Sequence, residues 1–163
     1  MIPYQSLFVA LAQNQIRYLV AGGLAVNLHQ VQRATVDLDL IVHLERDNLL
    51  RFVKVMDSLG YQPRVPVRSI DLADEEKRRS WIEDKNMMVF SFLNPKNSFE
   101  VIDIFIQEPA PFEDLFKNKT TVQAFGVGIE IVGVEDLIKM KRVAGRDKDL
   151  FDIQQLEKKK GKS

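Results

Sequence analysis

Residues 35–42 read TVDLDLIV. Branched and apolar side chains dominate the stretch, and it is short enough for a single β-strand. A strand alternates its faces with period two, so Asp37 and Asp39 share one face while Val36, Leu38 and Leu40 share the other. Two carboxylates held side by side repel each other, and they cost stability or raise their pKa values unless a cation neutralises them. Two readings fit this pattern. The pair lies on a solvated strand face, or it is held for a metal ion.

The residues on either side bear on that choice. Upstream, IRYLVAGG (16–23) gives a short apolar strand, Tyr18 to Ala21, that ends in Gly22 and Gly23. LAVNLH (24–29) then forms a helix starting at those glycines, and QVQRAT (30–35) leads back into the aspartate strand. Glycines lack a Cβ and let backbone approach a ligand closely, and a helix start presents free N–H groups to an anion. A glycine pair alone marks only a tight turn. Followed by Asp-x-Asp on the next strand, it describes a cradle for a metal-bound phosphate. Asp103 in EVIDIFI (100–106) supplies a third carboxylate within an apolar strand; by itself it is also a common edge charge. Hard oxygen ligands of this kind suit magnesium or manganese.

The rest of the chain sets the frame. At 163 residues it is read as one domain, 1–163, large enough to bury a core without staples. Hydrophobic residues make up 45% and charged residues 28%, ordinary values that favour neither disorder nor a membrane span. Cysteine is absent, so thiol chemistry and cysteine zinc sites are excluded. The 23 basic residues balance the 23 acidic ones, and net charge therefore gives no general pull on nucleic acid. MIPYQSLFVALAQNQ lacks a basic leader and has the spacing of an amphipathic helix over residues 3–14, so the cytoplasm is the expected location.

The spacing of Leu49, Leu50, Phe52, Val53, Val55 and Met56 predicts a helix stopped by Gly60 and Pro63. Residues 65–86 read as a polar excursion of loop and short helix. MMVFSFLN and FEVIDIFI read as strands joined at PKNS, and TTVQAFGVGIEIVG as a hairpin turning at Gly126 to Gly128. Residues 134–163 form a helical C-terminal segment of two helices or one bent helix. The whole predicts an α+β fold: a small mixed sheet of about four or five strands with helices flanking one side.

VAGGLAVNLHQVQRATVDLDLIV (20–42) resembles the signature of the nucleotidyltransferase superfamily that includes DNA polymerase beta, and Asp103 is similar to its third carboxylate. VEDLIKMKRVAGRDKDLFDIQQL (134–156) resembles the end of minimal bacterial nucleotidyltransferases related to the toxin of the AbiE system. The resemblance implies two magnesium or manganese ions held by Asp37, Asp39 and Asp103, with an NTP such as ATP as co-substrate. It further implies phosphate or nucleotide contacts from Gly22, Gly23, Arg33, Thr35, Lys141 and Arg146. Lys139 crowds the same segment as Lys141, and a solvated helix lysine is the alternative for either. Asp149 and Asp152 match the same tail, with a cap or a helix-surface pair as the alternative for Asp149.

His29 reads as a polar loop residue. Gln30 stands where such relatives commonly carry glycine, which puts the flexibility of the loop in question. The chain is shorter than the full-length toxins, implying a reduced acceptor-binding half. The implied reaction moves an NMP to a hydroxyl or phosphate of an RNA end or a small molecule, with release of pyrophosphate. The competing class is a partner-binding module of the same fold, an antitoxin or regulatory protein paired with a small helical partner.

Overall fold

A computed structural model describes residues 4–161; the start of the expected first helix at residue 3, and residues 162–163 of the helical end, lie outside the described residues. Helix α1 (Gln5–Gln13) leads into strand β1 (Tyr18–Ala21), helix α2 (Gly22–Leu28), strand β2 (Leu38–Val42) and helix α3 (Arg46–Ser58). After these come β3 (Gln62–Pro63), a 3-10 turn (Ser69–Ala73), α4 (Glu75–Lys85), the strands β4 (Val89–Asn94) and β5 (Asn97–Phe105), and α5 (Phe112–Lys117). The hairpin β6 (Thr120–Ala124) and β7 (Val127–Ile131) precedes α6 (Val134–Ala144) and α7 (Asp147–Lys160).

The strands form a single mixed sheet of seven, in the order β3-β4-β5-β2-β1-β7-β6. The expected four or five strands undercount it. The two-residue β3 carries too little pattern to be read as a strand, and α5 begins after Pro111 with only six residues. Centrally, β2 pairs antiparallel with β1 and parallel with β5, which puts β2 in the middle of the sheet. All four residues of β1 are buried, so the centre of the sheet is covered on both faces and not on one.

The core follows from the alternation. Tyr18, Val20, Leu38, Leu40, Ile102, Ile104, Phe90 and Phe92 are linked by strand register and share one face. Helices bury that face through aromatic contacts: Phe8 of α1 lies 6.3 Å from Tyr18, Phe52 of α3 lies 6.1 Å from Phe92, and Trp81 of α4 stacks 5.3 Å from Phe90. Helix α3 starts at Glu45, whose carboxylate accepts from the N–H groups of Asp47 and Asn48. The same register puts Ala21, Asp39, Asp103 and Ser91 together on the opposite face. There the β4–β5 half stays open: Val89, Ser91, Leu93, Val101, Asp103 and Phe105 are all only half-buried.

The two-residue connection of the hairpin is Phe125–Gly126, both at positive φ (56° and 75°), the geometry a right-twisted tight turn needs. It lies one residue ahead of the expected glycine turn. The C-terminal segment is two helices, divided at Gly145 with φ 63°.

Candidate active site

The central strands bring the predicted carboxylates together. Asp39 and Asp103 are direct partners across the parallel β2–β5 pair, so their side chains leave the same face about 4.8 Å apart in strand spacing. Asp37 lies just before β2 and is exposed, so the ordered strand is shorter than TVDLDLIV suggests. The hydroxyl of Tyr4 donates to the carbonyls of Val36 (2.8 Å) and Val101 (3.3 Å), bridging the two segments just ahead of the carboxylates. Burial first, then the charges of Asp103 and Asp37, push the Asp39 carboxyl up to about 6; Lys141 and Arg146 pull the other way. Negative charge at this place is under-compensated by the protein alone.

Gly22 and Gly23 are needed for two different reasons. Gly22 sits at φ +63°, and a Cβ there would overlap the Oδ2 of Asp39. At Gly23 a Cβ would overlap a guanidinium nitrogen of Arg33 and come within 2.8 Å of the hydroxyl of Thr35. The turn therefore has one glycine under the acid and one under the base. Gly22→Ala combines left-handed strain of about 1–2 kcal/mol with displacement of Asp39. Denaturant unfolding should show at least that loss. An alanine variant as stable as the wild type would mean that Asp39 swings clear at no cost.

The predicted basic residues converge on the same corner. Arg33 lies 3.0 Å from Asp152, Lys141 lies 2.9 Å from Asp152 and 3.5 Å from Asp149, and Arg146 lies 2.6 Å from Asp149. Asp149, Asp152 and Lys141 are buried, so the helix-surface alternatives for Asp149 and Lys141 do not describe them. Asp149 does act as a cap, accepting from the backbone N–H of Arg146 at the start of α7. Hydrogen bonding to Asp149 raises the Arg146 pKa, and the bonds from Arg146 help hold the Asp149 carboxyl below its usual range despite its burial. Three cations face two anions in this network, a surplus positive charge beside the surplus negative charge of Asp37, Asp39 and Asp103. Lys139 is exposed, whereas Lys141 is buried within this network.

Other predicted residues fall into place. Gln30 adopts φ +68°, the left-handed conformation that glycine would take without strain. The ring of His29 contacts the carbonyl of Val132 at 2.8 Å, a structural role. One neighbour of the site was not legible in advance: the Ser91 hydroxyl donates to Oδ1 of Asp103 at 2.5 Å. A serine in an alternating strand carries no signal by itself, and only the β4–β5 register makes it the partner of Asp103.

Among the described residues no group of three His, Cys, Asp or Glu side chains is placed to hold a metal ion by itself. The donors present are all hard carboxylate oxygens, and at Asp39 burial and the neighbouring carboxylates outweigh Lys141 and Arg146. This fits magnesium or manganese, which use one or two protein carboxylates and complete their shell with water and substrate phosphate. Asp39 and Asp103 would be the pair, with Asp37 beside them.

No family model and no curated protein sequence matches the chain. Solved structures do. The lincomycin-bound lincosamide antibiotic adenylyltransferase LnuA superposes with a TM-score of 0.61 at 13% identity, covering 96% of this chain and 97% of that one. The antibiotic-resistance factor ANT(2'')-Ia, in its complex with adenylyl-2''-tobramycin, gives 0.57 at 13% identity over 94% and 84% of the two chains. A nucleotidyltransferase-like antigenic protein from Paracoccidioides brasiliensis gives 0.57 at 18% identity over 93% and 72%. The fold is that of the nucleotidyltransferases.

Proposed function

We propose that the protein transfers an NMP from an NTP to the hydroxyl of a small molecule, in the cytoplasm, with release of pyrophosphate. The observation that carries this reading is the in-register pair Asp39 and Asp103 beside the Gly22–Gly23 turn, at a point where carboxylate charge is under-compensated. Asp37 and Asp39 bind the metal–nucleotide complex, and the N–H groups of Gly22 and Gly23 face its phosphates. Arg33, Lys141 and Arg146 supply the surplus positive charge that favours a polyphosphate at this corner. Thr35 packs at Gly23 with Arg33 and helps fix the turn. Asp103 holds or accepts the proton of the attacking hydroxyl on the open side of the sheet. Two divalent ions, when bound, would neutralise phosphate charge and make that hydroxyl a better nucleophile.

The half-open β4–β5 face supports a small acceptor. Val89, Leu93, Val101 and Phe105 make an apolar floor beside Asp103, whereas an RNA would need a basic one. LnuA and ANT(2'')-Ia, of the same fold, are named for antibiotic substrates, which supports the same class. The likeness to AbiE-type toxins rests on the tail residues 134–156 alone, and an RNA acceptor ranks behind a small molecule for that reason. A partner-binding role draws on one observation: Val143 is 90% exposed, with Leu150 and Phe151 also exposed on α7. Such apolar exposure suits a helical partner or an antitoxin chain.

Thermal unfolding with magnesium and each non-hydrolysable NTP tests nucleotide binding. Ligand at about 100 times Kd adds about 2.7 kcal/mol. Asp103→Asn should lose pyrophosphate release with a library of hydroxylated small molecules and keep only the part of that stabilisation that Asp37 and Asp39 supply. No stabilisation by any nucleotide would rule out transfer and leave partner binding; turnover retained in Asp103→Asn would move the third carboxylate elsewhere.

A further inference from the structure

Ser91 sits opposite Asp103 on β4, in the antiparallel β4–β5 register, and both side chains leave the open face of the sheet. Its hydroxyl donates to Oδ1 of Asp103 at 2.5 Å, a short bond of the kind hydroxyls make to charged oxygens. On the other side of Asp103, Asp39 is its partner across β2 and offers only repulsion. A carboxylate on a strand can rotate about its terminal bond over a broad range. With one neighbour donating and the other repelling, that rotation has one favoured setting. Oδ1 is committed to Ser91, and Oδ2 has no protein donor of its own among the described residues.

We propose that Ser91 is a positioning residue of the transfer site: it anchors Oδ1 of Asp103 and leaves Oδ2 as the oxygen offered to a divalent ion or an acceptor hydroxyl. This rests on the function proposed above. The cross-strand geometry makes the device local. Ser91 needs no contact with the nucleotide, and β4 is held in place by Phe90 and Phe92 whether or not the hydroxyl is present. Partners of this kind typically change metal affinity or activity by about 10–100-fold when removed.

The test uses manganese as the probe, its free-ion signal read by electron paramagnetic resonance in the presence of a non-hydrolysable ATP analogue. Ser91→Ala should weaken manganese binding by about tenfold or more with unchanged melting temperature, and Ser91→Thr, which keeps the hydroxyl, should restore it. Manganese binding by the wild type with equal affinity in Ser91→Ala overturns the positioning role alone. No manganese binding by the wild type overturns the proposed function, and the role of Ser91 with it.

Discussion

Asp39→Asn should make the ligand-free protein more stable at neutral pH while abolishing its stabilisation by metal and nucleotide. The folded carboxyl is pushed up to about 6, against a usual value near 3.8, by burial and by Asp103 and Asp37. Below about pH 4 the group is protonated in both the folded and the unfolded chain and contributes nothing. Between about pH 4 and 6 the folded state holds more protons than the unfolded one, so stability falls as pH rises, and it levels off above that range. A shift of that size puts the loss on the order of 2–3 kcal/mol. Asparagine keeps the shape and removes the charge, so the variant should unfold with little pH dependence across that window. Melts from pH 4 to 8, with and without magnesium and nucleotide, separate the two effects. A variant less stable than wild type at pH 7, or one that still gains stability from nucleotide, would contradict the role given to Asp39. Opposite signs in one substitution are expected where stability is given up for function.

Asp152→Ala should be among the most damaging single substitutions outside the aromatic core. Its carboxylate is fully buried between Arg33 and Lys141. Removing one partner of a buried ion pair leaves its cations uncompensated, at a cost of about 3–5 kcal/mol. Lys141 retains Asp149 at 3.5 Å, so most of the loss falls on Arg33. Arg33 lies against Gly23 and would no longer be held over the turn, and nucleotide binding should weaken with stability. A double-mutant cycle of Asp152→Ala with Arg33→Ala checks this: the paired variant should cost clearly less than the two single losses added. Additive losses would mean that the two residues stabilise the fold independently.

Much of this arrangement could be read from the chain. Tyr18–Ala21, the glycine turn, α3 and the β4–β5 pair are local patterns in which alternation or helical spacing agrees with the tertiary outcome. The residue types at Asp37, Asp39 and Asp103 stand out because charge in an apolar strand needs a reason. Residues whose meaning depends on long-range register were silent. Ser91 matters only because β4 places it opposite Asp103; Asp152 stood out as part of the tail, but its pairing with Arg33 did not, because α7 buries it against a loop from the other end of the sequence. β3 was too short for a periodicity of its own, and neighbouring elements decide it. Asp37 was expected inside β2, but the ladder to β1 and β5 begins only with its neighbours Leu38 and Asp39, and the residue before them is left exposed.

The wiring of this corner bears on how the protein is made. Asp39 receives its closest strand partner from β1, its carboxylate partner from β5 after the whole α3–α4 excursion, and its cationic surroundings from α6 and α7. Pairings of such sequence separation form late in folding. A nascent chain that has left the ribosome as far as β5 would carry every carboxylate of the site, but Arg33 would still lack Asp152. Prematurely terminated products should therefore display the Asp-x-Asp signature without a settled phosphate corner, and protease resistance conferred by nucleotide should appear during synthesis only after α7 has emerged.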